Sequence, residues 1–301
     1  MCFFGQSVVF EDASSLINSL TGGGFNAKQV ERVCHLYGGL LDARSEEAIA
    51  SGETKFCSET EKEELHYAMI DGAMYPTKSK EEPWKEVKLG RLFKKSDLLP
   101  FSENRNFITK STYVAHLGEA KDFFPKFEYE VESLKNLVFL NDGGPWIWKW
   151  VESSFPNSVQ ILDYYHAKEH LCEFAKNYFK EEEQRKKWIE GLCETLLEKT
   201  PEEVVEEIRS LPHQDKTEDS KEKLINYYTA HLKRMQYRSF KEQGFLIGSG
   251  AIESAHRVYQ QRFKLSGQHW TKKGLHETIQ LKSAYQSKRW DKVMVIAKNA
   301  A

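Results

Sequence analysis

Several features common in other protein classes are missing from this 301-residue sequence. No apolar run approaches the ~20 residues that a membrane-spanning helix needs. The opening MCFFGQSVVFEDASS lacks the basic flank and the longer apolar stretch of a signal peptide. Five cysteines, an odd number with no C-x-x-C pair, argue against a disulfide framework or a cysteine-rich zinc module. These absences predict a cytoplasmic protein that does not enter a membrane.

A strong net charge is also missing, since 43 Lys and Arg balance 45 Asp and Glu to leave −2. The balance is a cancellation along the chain. Residues 181–223 carry 14 acidic and 8 basic side chains, whereas residues 256–292 carry 9 basic and 2 acidic ones. The second segment therefore has a local charge of +7, which a polyanionic partner could use.

The N-terminal segment pairs two helical patterns around three glycines, Gly22 to Gly24. Apolar residues recur at helical spacing from Phe10 to Leu20, and Asn26 is placed to cap a second helix from Ala27 to about Leu41. Two helices joined by a short turn are either a helix-turn-helix DNA reader or simply packed helices, and packed helices are the commoner case.

From about residue 65 the pattern changes to that of a mixed α/β sheet. The predicted strands and helices follow in this order: strands 66–75, 84–94 and 111–117, helix 119–134, strand 137–140, helix 146–155, strand 159–162 and helix 166–179. Residues 181–223 then read as a largely helical insertion with a break at 211–215. A helical run over 224–240 and a glycine-rich turn at 244–250 lead into a helix near Ala251. The fold class predicted is α/β, with a mixed sheet flanked by helices.

Three carboxylates occupy positions where a hard divalent cation could be held. Asp71 lies inside or just after an apolar strand, and Asp142 follows a buried strand, where open α/β sheets place their active sites. Glu253 lies in the first turn of the helix that the glycine-rich turn opens. Two strand acids and one helix acid can hold two Mg²⁺ ions for phosphodiester chemistry. Each acid alone also fits a turn or a helix-dipole role.

A second motif, His166-Ala-Lys-Glu169-His170, reads as H-x-x-E-H, the inverted zinc-peptidase signature. Both histidines would face one side of a helix, as zinc requires. The motif directly follows a buried strand, however, and no third ligand stands out downstream. A zinc peptidase is therefore the weaker interpretation, and a capping or packing role for His170 is the simpler one.

Six segments together resemble the transposases of bacterial insertion sequences, in the Mutator-related DDE group with its Kra-type and Lre-type branches. The resemblance runs from about Phe10 to Asp291, and the segments are MIDGAM (69–74), WKEVKLG (84–90), NDGGPWIW (141–148), FPNSVQILDYYHAKEH (155–170), IGSGAIESAH (247–256) and SKRWD (287–291). Any one of them is a modest signal, whereas their order and joint presence are specific.

The resemblance implies an RNase H-like core in which Asp71, Asp142 and Glu253 form the DDE triad and bind two Mg²⁺ ions, with Mn²⁺ as a substitute. It implies cleavage of DNA at the element's ends and transfer of the freed strand to target DNA, by a homo-oligomer on the nucleoid. Asp163 and His166 match the group's D-x-x-H signature, which implies a supporting or DNA-contacting role. That match competes with the zinc interpretation of His166.

The resemblance also divides the chain into four segments. They are an N-terminal helical segment (1–62), the first part of the core (63–175), the helical insertion (176–243), and the catalytic helix with a basic C-terminal segment (244–301). Similar transposases usually carry more N-terminal sequence, so we expect a shortened chain. A catalytically inactive DNA-binding remnant is therefore the alternative function.

The basic C-terminal segment is where DNA is expected to lie, because cations interleaved with aromatic residues neutralise phosphates and stack on bases. The predicted DNA contacts are Arg257, Arg262, Lys264, Lys272 and Lys273. Trp290 in the same segment is expected to be a core residue instead.

Overall fold

The computed structural model describes residues 1–55, 57–102 and 105–299. The chain forms two compact units. Unit 1 contains Met1–Leu137 and Ala251–Ala301, and unit 2 contains Val138–Gly250. Asp71 and Glu253 therefore belong to unit 1, and Asp142 belongs to unit 2.

Unit 1 contains an antiparallel sheet and helices from both ends of the chain. Its helices are α1 (Cys2–Gly5), α2 (Phe10–Thr21), α3 (Ala27–Ala50), α4 (Glu59–Glu63), α5 (Ala120–Val131), α12 (Gly250–Phe263, from its second residue), α13 (Lys272–Gln286) and α14 (Trp290–Asn299). Its strands are β1 (Leu65–Pro76), β2 (Trp84–Lys94), β3 (Leu98–Ser102), β4 (Arg105–Ile108) and β5 (Thr112–Leu117). A 3₁₀ turn at Lys95–Asp97 joins β2 to β3.

The predicted cap of α3 is confirmed. Asn26 accepts a hydrogen bond from the N–H of Gln29, and the Gln29 side chain accepts one from the N–H of Asn26, so the two residues form a capping box. Helices α2 and α3 share an apolar core with α13 and α14, built around Ile17, Val30 and Leu281. This packing is what the simpler interpretation of the pair predicts.

β2 pairs with β1 on one side and with β5 on the other, antiparallel in both cases. The register places Asp71 opposite Leu89, in the interior of β1. Gly90, in the middle of β2, leaves room for α5, because a Cβ there would lie 2.4 Å from the Phe127 ring. β3 and β4 form a separate two-stranded hairpin.

Unit 2 is mainly helical. It contains most of β6 (Asn136–Asn141), then α6 (Pro145–Ser154), β7 (Val159–Leu162), α7 (Tyr164–Tyr178), α8 (Glu182–Glu198), α9 (Pro201–Ser210), α10 (Glu218–His231) and α11 (Tyr237–Glu242). A 3₁₀ turn at Leu232–Arg234 follows α10. The predicted break at 211–215 separates α9 from α10. Buried Lys221 fixes this break by donating to the carbonyls of Arg209 and Leu211 at 3.0 and 2.7 Å.

β6 and β7 pair in parallel, and the strand order of the five-stranded sheet is β5-β2-β1-β6-β7. The sheet is thus mixed and flanked by helices, which confirms the predicted α/β class. Within the described part of the chain, no helix combines the length and apolar character needed to cross a membrane.

Candidate active site

Asp71 lies inside β1, as predicted. Its Oδ1 accepts a hydrogen bond from the N–H of Gly72 at 2.7 Å, and its side chain is partly exposed. A Cβ at position 72 would lie 1.8 Å from a carboxylate oxygen of Glu86 on β2, so glycine at this position leaves room for the Glu86 side chain.

A histidine on α12 lies against Asp71. The Nε2 atom of His256 is 3.4 Å from Oδ2 of Asp71, and the imidazole is buried. Burial lowers the pKa of His256 to about 4, so the ring is neutral at neutral pH. His256 and Glu253 are three residues apart, about one helical turn, so they share one face of α12. This face lies toward Asp71 through His256.

Glu253 lies in the first turn of α12, as predicted. Its side chain is more than half exposed, and a guanidinium nitrogen of Arg257 lies 3.9 Å from one of its carboxylate oxygens. An exposed pair of this kind contributes little to stability. The carboxylate is therefore accessible to a ligand from solvent.

Arg91 on β2 anchors the start of α12. Its guanidinium donates to the carbonyl of Ala251 at 2.6 Å and to the hydroxyl of Ser254 at 3.2 Å. The same side chain donates to Ser111 at 3.0 Å, and it is buried. Ala251 and Ser254, on either side of Ile252 and Glu253, are thus hydrogen-bonded to a residue of the sheet. Sequence reasoning missed Arg91, because nothing in a strand pattern tells a buried anchoring arginine from a surface one.

Asp142 directly follows β6, as predicted, and shapes the turn into α6. Its Oδ1 accepts from the N–H of Gly144 at 2.9 Å, and its carbonyl accepts from the indole of Trp148 at 2.7 Å. Tyr227 on α10 covers the turn, since a Cβ on Gly143 would lie 2.6 Å from the Tyr227 ring. The helical insertion therefore packs directly on the turn that carries Asp142, and no sequence pattern indicates this contact.

Asp163 is the N-cap of α7 and is buried. Its Oδ1 accepts from the N–H groups of Tyr165 and His166 at 2.6 and 3.2 Å. Its Oδ2 accepts from the N–H of Ser249 at 2.8 Å and also from the Ser249 hydroxyl. Asp163 thus links the start of α7 to the glycine-rich loop that precedes α12 in the chain.

His166 meets Asp163 through its backbone N–H, and its imidazole lies elsewhere. Nδ1 of the ring is 3.6 Å from a Glu169 carboxylate oxygen, and the ring packs edge-on against His170 with centroids 4.9 Å apart. His170 in turn lies 4.0 Å from the Tyr227 ring, centroid to centroid. His170 has the packing role that the simpler interpretation gave it.

The structure divides the predicted DNA contacts into two groups. Arg257, Lys264, Lys272 and Lys273 are exposed. Lys264 lies over the Trp84 ring at 5.3 Å, Lys272 pairs with Glu82, and Lys273 lies 3.8 Å from Glu277. Trp290 packs against the apolar core, as expected.

The prediction for Arg262 is wrong. Its side chain is 1% exposed, and it donates to the carbonyl of Gly5 at 3.0 Å. The guanidinium lies 4.9 to 5.5 Å from the rings of Phe10, Phe263 and Trp270. Burial lowers its pKa to about 10. An arginine enclosed by aromatic rings cannot reach a phosphate, so Arg262 is a core residue that fastens α12 to the N-terminal segment.

Among residues 1–55, 57–102 and 105–299, no three or more His, Cys, Asp or Glu side chains form a group that could hold a metal ion. The H-x-x-E-H motif does not form such a group either. Any ion bound by the predicted acids would need further ligands from water or substrate.

Comparison with known proteins identifies relatives. The family described as "Uncharacterised protein family (UPF0236)" matches residues 90–298. A relative from Streptococcus gallolyticus, the "UPF0236 protein in vanSb 3′region", is 23% identical over 296 residues. The matched region covers 93% of this chain and 61% of the relative, so the chain spans less than two thirds of that protein.

Proposed function

We propose that this chain, which belongs to the UPF0236 family, is a metal-dependent DNA transposase with an RNase H-like core. The observation that carries the proposal is the placement of the three acids. Asp71 lies inside the first strand of the sheet, Asp142 directly after β6, and Glu253 in the first turn of a long helix. The mixed sheet with order β5-β2-β1-β6-β7 supports an RNase H-like core.

The donor chemistry fits Mg²⁺, because all three side chains offer hard carboxylate oxygens. Mg²⁺ usually keeps several waters and takes one or two carboxylates together with phosphate oxygens of a substrate. Three carboxylates that leave other coordination positions to water and substrate are compatible with this mode of Mg²⁺ binding. The proposal therefore predicts weak metal binding by the free protein and tighter binding in the presence of DNA.

The reaction proposed is hydrolysis of a phosphodiester at an element end, followed by attack of the freed 3′-hydroxyl on target DNA. When bound, Mg²⁺ supplies activation of the attacking oxygen and stabilisation of the leaving one. The protein's own part is positioning. The Gly72 N–H holds the Asp71 carboxylate, beside which the His256 imidazole lies. Arg91 holds the start of the Glu253 helix, and the Gly144 N–H orients Asp142.

Incubation of the purified chain with supercoiled plasmid tests this function. With Mg²⁺ or Mn²⁺ we expect open-circular plasmid whose nicks carry 3′-hydroxyl ends, and with EDTA we expect intact plasmid. A chain that leaves plasmid intact under every divalent cation is not a transposase.

A second function, DNA binding without catalysis, is favoured by one observation. The described residues contain no ready-made metal group, whereas Arg257, Lys264, Lys272 and Lys273 are exposed cations of one unit. A non-catalytic binder would retain salt-sensitive DNA binding in the same plasmid experiment and would produce no nicks.

A further inference from the structure

The hairpin β3–β4 exposes three large apolar side chains. Leu99 is 51% exposed, Phe101 79% and Phe107 62%. Leu99 lies directly opposite Phe107 across the hairpin, and Phe101 lies next to this pair, at the β-bulge between Pro100 and Ser102. We call these three residues the apolar arm face. Isolated two-stranded hairpins are marginally stable in water, and this one carries its largest side chains outside the core.

The base of the hairpin is firmly held. The N–H of Thr109 donates to the carbonyl of Asp97 at 3.0 Å, and the Thr109 hydroxyl donates to the Asp97 carboxylate at 3.2 Å. From outside the hairpin, Lys288 donates to the Thr109 carbonyl at 3.0 Å. The arm therefore projects its apolar face from a fixed base.

Positive charge surrounds that base. Lys95, Lys110 and Lys288 are exposed, and within the described residues none of them has a carboxylate at salt-bridge distance. We call these three residues the arm lysines. The neighbouring acids are already engaged: Glu61 and Glu64 pair with Lys94, and Asp97 bonds Thr109 and the Lys94 N–H. Lys94 and the three arm lysines outnumber these three carboxylates by one, so the net charge of the named groups at the hairpin base is +1.

The size of the apolar face argues against a second copy of the chain as its occupant. Three partly exposed side chains offer on the order of 400 Å² of apolar surface, whereas a stable protein interface buries about 800 Å² per partner. A duplex needs less, because proteins that distort DNA insert single apolar wedges between base steps while cations hold the phosphates.

We propose that the β3–β4 hairpin is a DNA-contacting arm. The apolar arm face inserts against the bases of a duplex, and the arm lysines hold the adjacent phosphates. The choice of DNA as partner rests on the proposed function. In the register of β1 and β2, His66 lies opposite Lys94 and is five positions from Asp71 along β1. At about 3.4 Å per residue, the arm leaves the sheet ~17 Å from Asp71 along the strand, about five base pairs of duplex.

The test uses random-sequence 30-bp duplexes that carry 2-aminopurine, with the full chain in EDTA so that no strand is cut. Wild type should bind and raise the fluorescence of the probe as bases unstack. The Phe101→Ala, Phe107→Ala double variant should bind about tenfold more weakly and lose most of the fluorescence rise. Phe101→Trp should keep both signals.

The matched control is Leu20→Ala on α2, which removes a side chain 72% exposed in the same unit and should change nothing. Lys110→Ala should reduce the slope of log affinity against log salt by about 1. All these positions are exposed, so circular dichroism should show a folded chain in every variant.

Any of three results overturns the inference. Wild type does not bind the duplex, or the double variant binds it and raises the fluorescence as wild type does. In the third, wild type is a dimer, the double variant is a monomer, and the two bind DNA equally. The last result would assign the face to a second copy. Nicking without arm-dependent binding overturns only this inference. Arm-dependent binding without nicking overturns only the proposed function.

Discussion

The carboxylate of Asp163 accepts a hydrogen bond from the backbone N–H of Ser249 at 2.8 Å, across 86 residues of sequence. The same carboxylate caps α7 through two further N–H groups. One buried side chain thus satisfies the start of a helix and holds the loop from which α12 departs. The arrangement explains why an aspartate at this position can matter without touching a metal ion.

Replacement of Asp163 by Asn should lower the free energy of unfolding by about 2–4 kcal/mol, because an amide NH₂ cannot accept from all of these donors and buried N–H groups lose their partner. Urea unfolding followed by circular dichroism measures the change. Ser249→Ala, which removes one hydroxyl donor, should cost only about 1 kcal/mol. Equal, small losses in both variants would contradict the role given to Asp163.

Replacement of Arg91 by Lys should destabilise unit 1 by about 2–3 kcal/mol, since one ammonium cannot reproduce the fork that reaches Ser111, Ala251 and Ser254. It should also reduce plasmid nicking, because the start of α12 is no longer fixed. The control is Arg257→Lys, an exposed arginine whose replacement should leave the unfolding free energy within ±0.5 kcal/mol. Similar unfolding curves for the two variants would remove Arg91 as an anchor.

Gly143→Ala should cost about 1–3 kcal/mol, because its Cβ would overlap the Tyr227 ring. Gly191→Ala is the matched control. It lies within α8 with nothing within 4 Å of the added Cβ, so it should stabilise the chain by about 1 kcal/mol. A double-mutant cycle with Tyr227→Leu should show favourable coupling, as the smaller side chain relieves the overlap. If the two substitutions change the free energy of unfolding additively, Tyr227 on α10 does not pack on the turn that carries Asp142.

The free energy of unfolding should fall in acid, because the Glu130 carboxylate becomes protonated. Burial alone would raise the pKa of this carboxyl, but its hydrogen bonds to Arg289 and its pairing with Lys55 lower it to about 2 from an ordinary 4.5. A depressed pKa in the folded state adds stability above the unfolded value, and that contribution disappears as pH falls from about 5 to 2.

Urea titrations at several pH values check this expectation. Glu130→Gln should be less stable than wild type at pH 7, and its stability should fall less steeply below pH 5. Part of the slope should survive in that variant, because Asp42 also has a pKa of about 2 beside Lys126 and His276. An unchanged slope in Glu130→Gln would show that this group does not titrate as described.

The secondary structure was predictable wherever local chemistry decides it. The predicted strands 84–94 and 159–162 match β2 and β7 residue for residue, and Asn26 and the 211–215 break behave as their sequences indicate. Helix α3 runs nine residues beyond the prediction to Ala50, because the apolar period fades after Leu41 while good helix formers continue. The β3–β4 hairpin was missed, since Pro100 and a β-bulge interrupt any strand pattern there.

The site could be predicted only in part. The position of each acid on its element follows from strand and helix signals, which are local. The partners of those elements are not local: His256 lies 185 residues from Asp71, Arg91 lies 160 from Ala251, and Tyr227 reaches Gly143 from the insertion. Arg262 shows the same limit, because its charge predicted a surface role whereas tertiary packing encloses it.

Plasmid nicking by the Asp142→Asn variant tests the central claim most directly. The substitution keeps the shape of the side chain and removes one charge, and Asp215→Asn, an exposed aspartate in the 211–217 connection, serves as the matched control. The account predicts that nicking with Mg²⁺ falls about 100-fold or more in Asp142→Asn and is unchanged in Asp215→Asn, with both variants still binding DNA. Equal nicking by Asp142→Asn and wild type would contradict it.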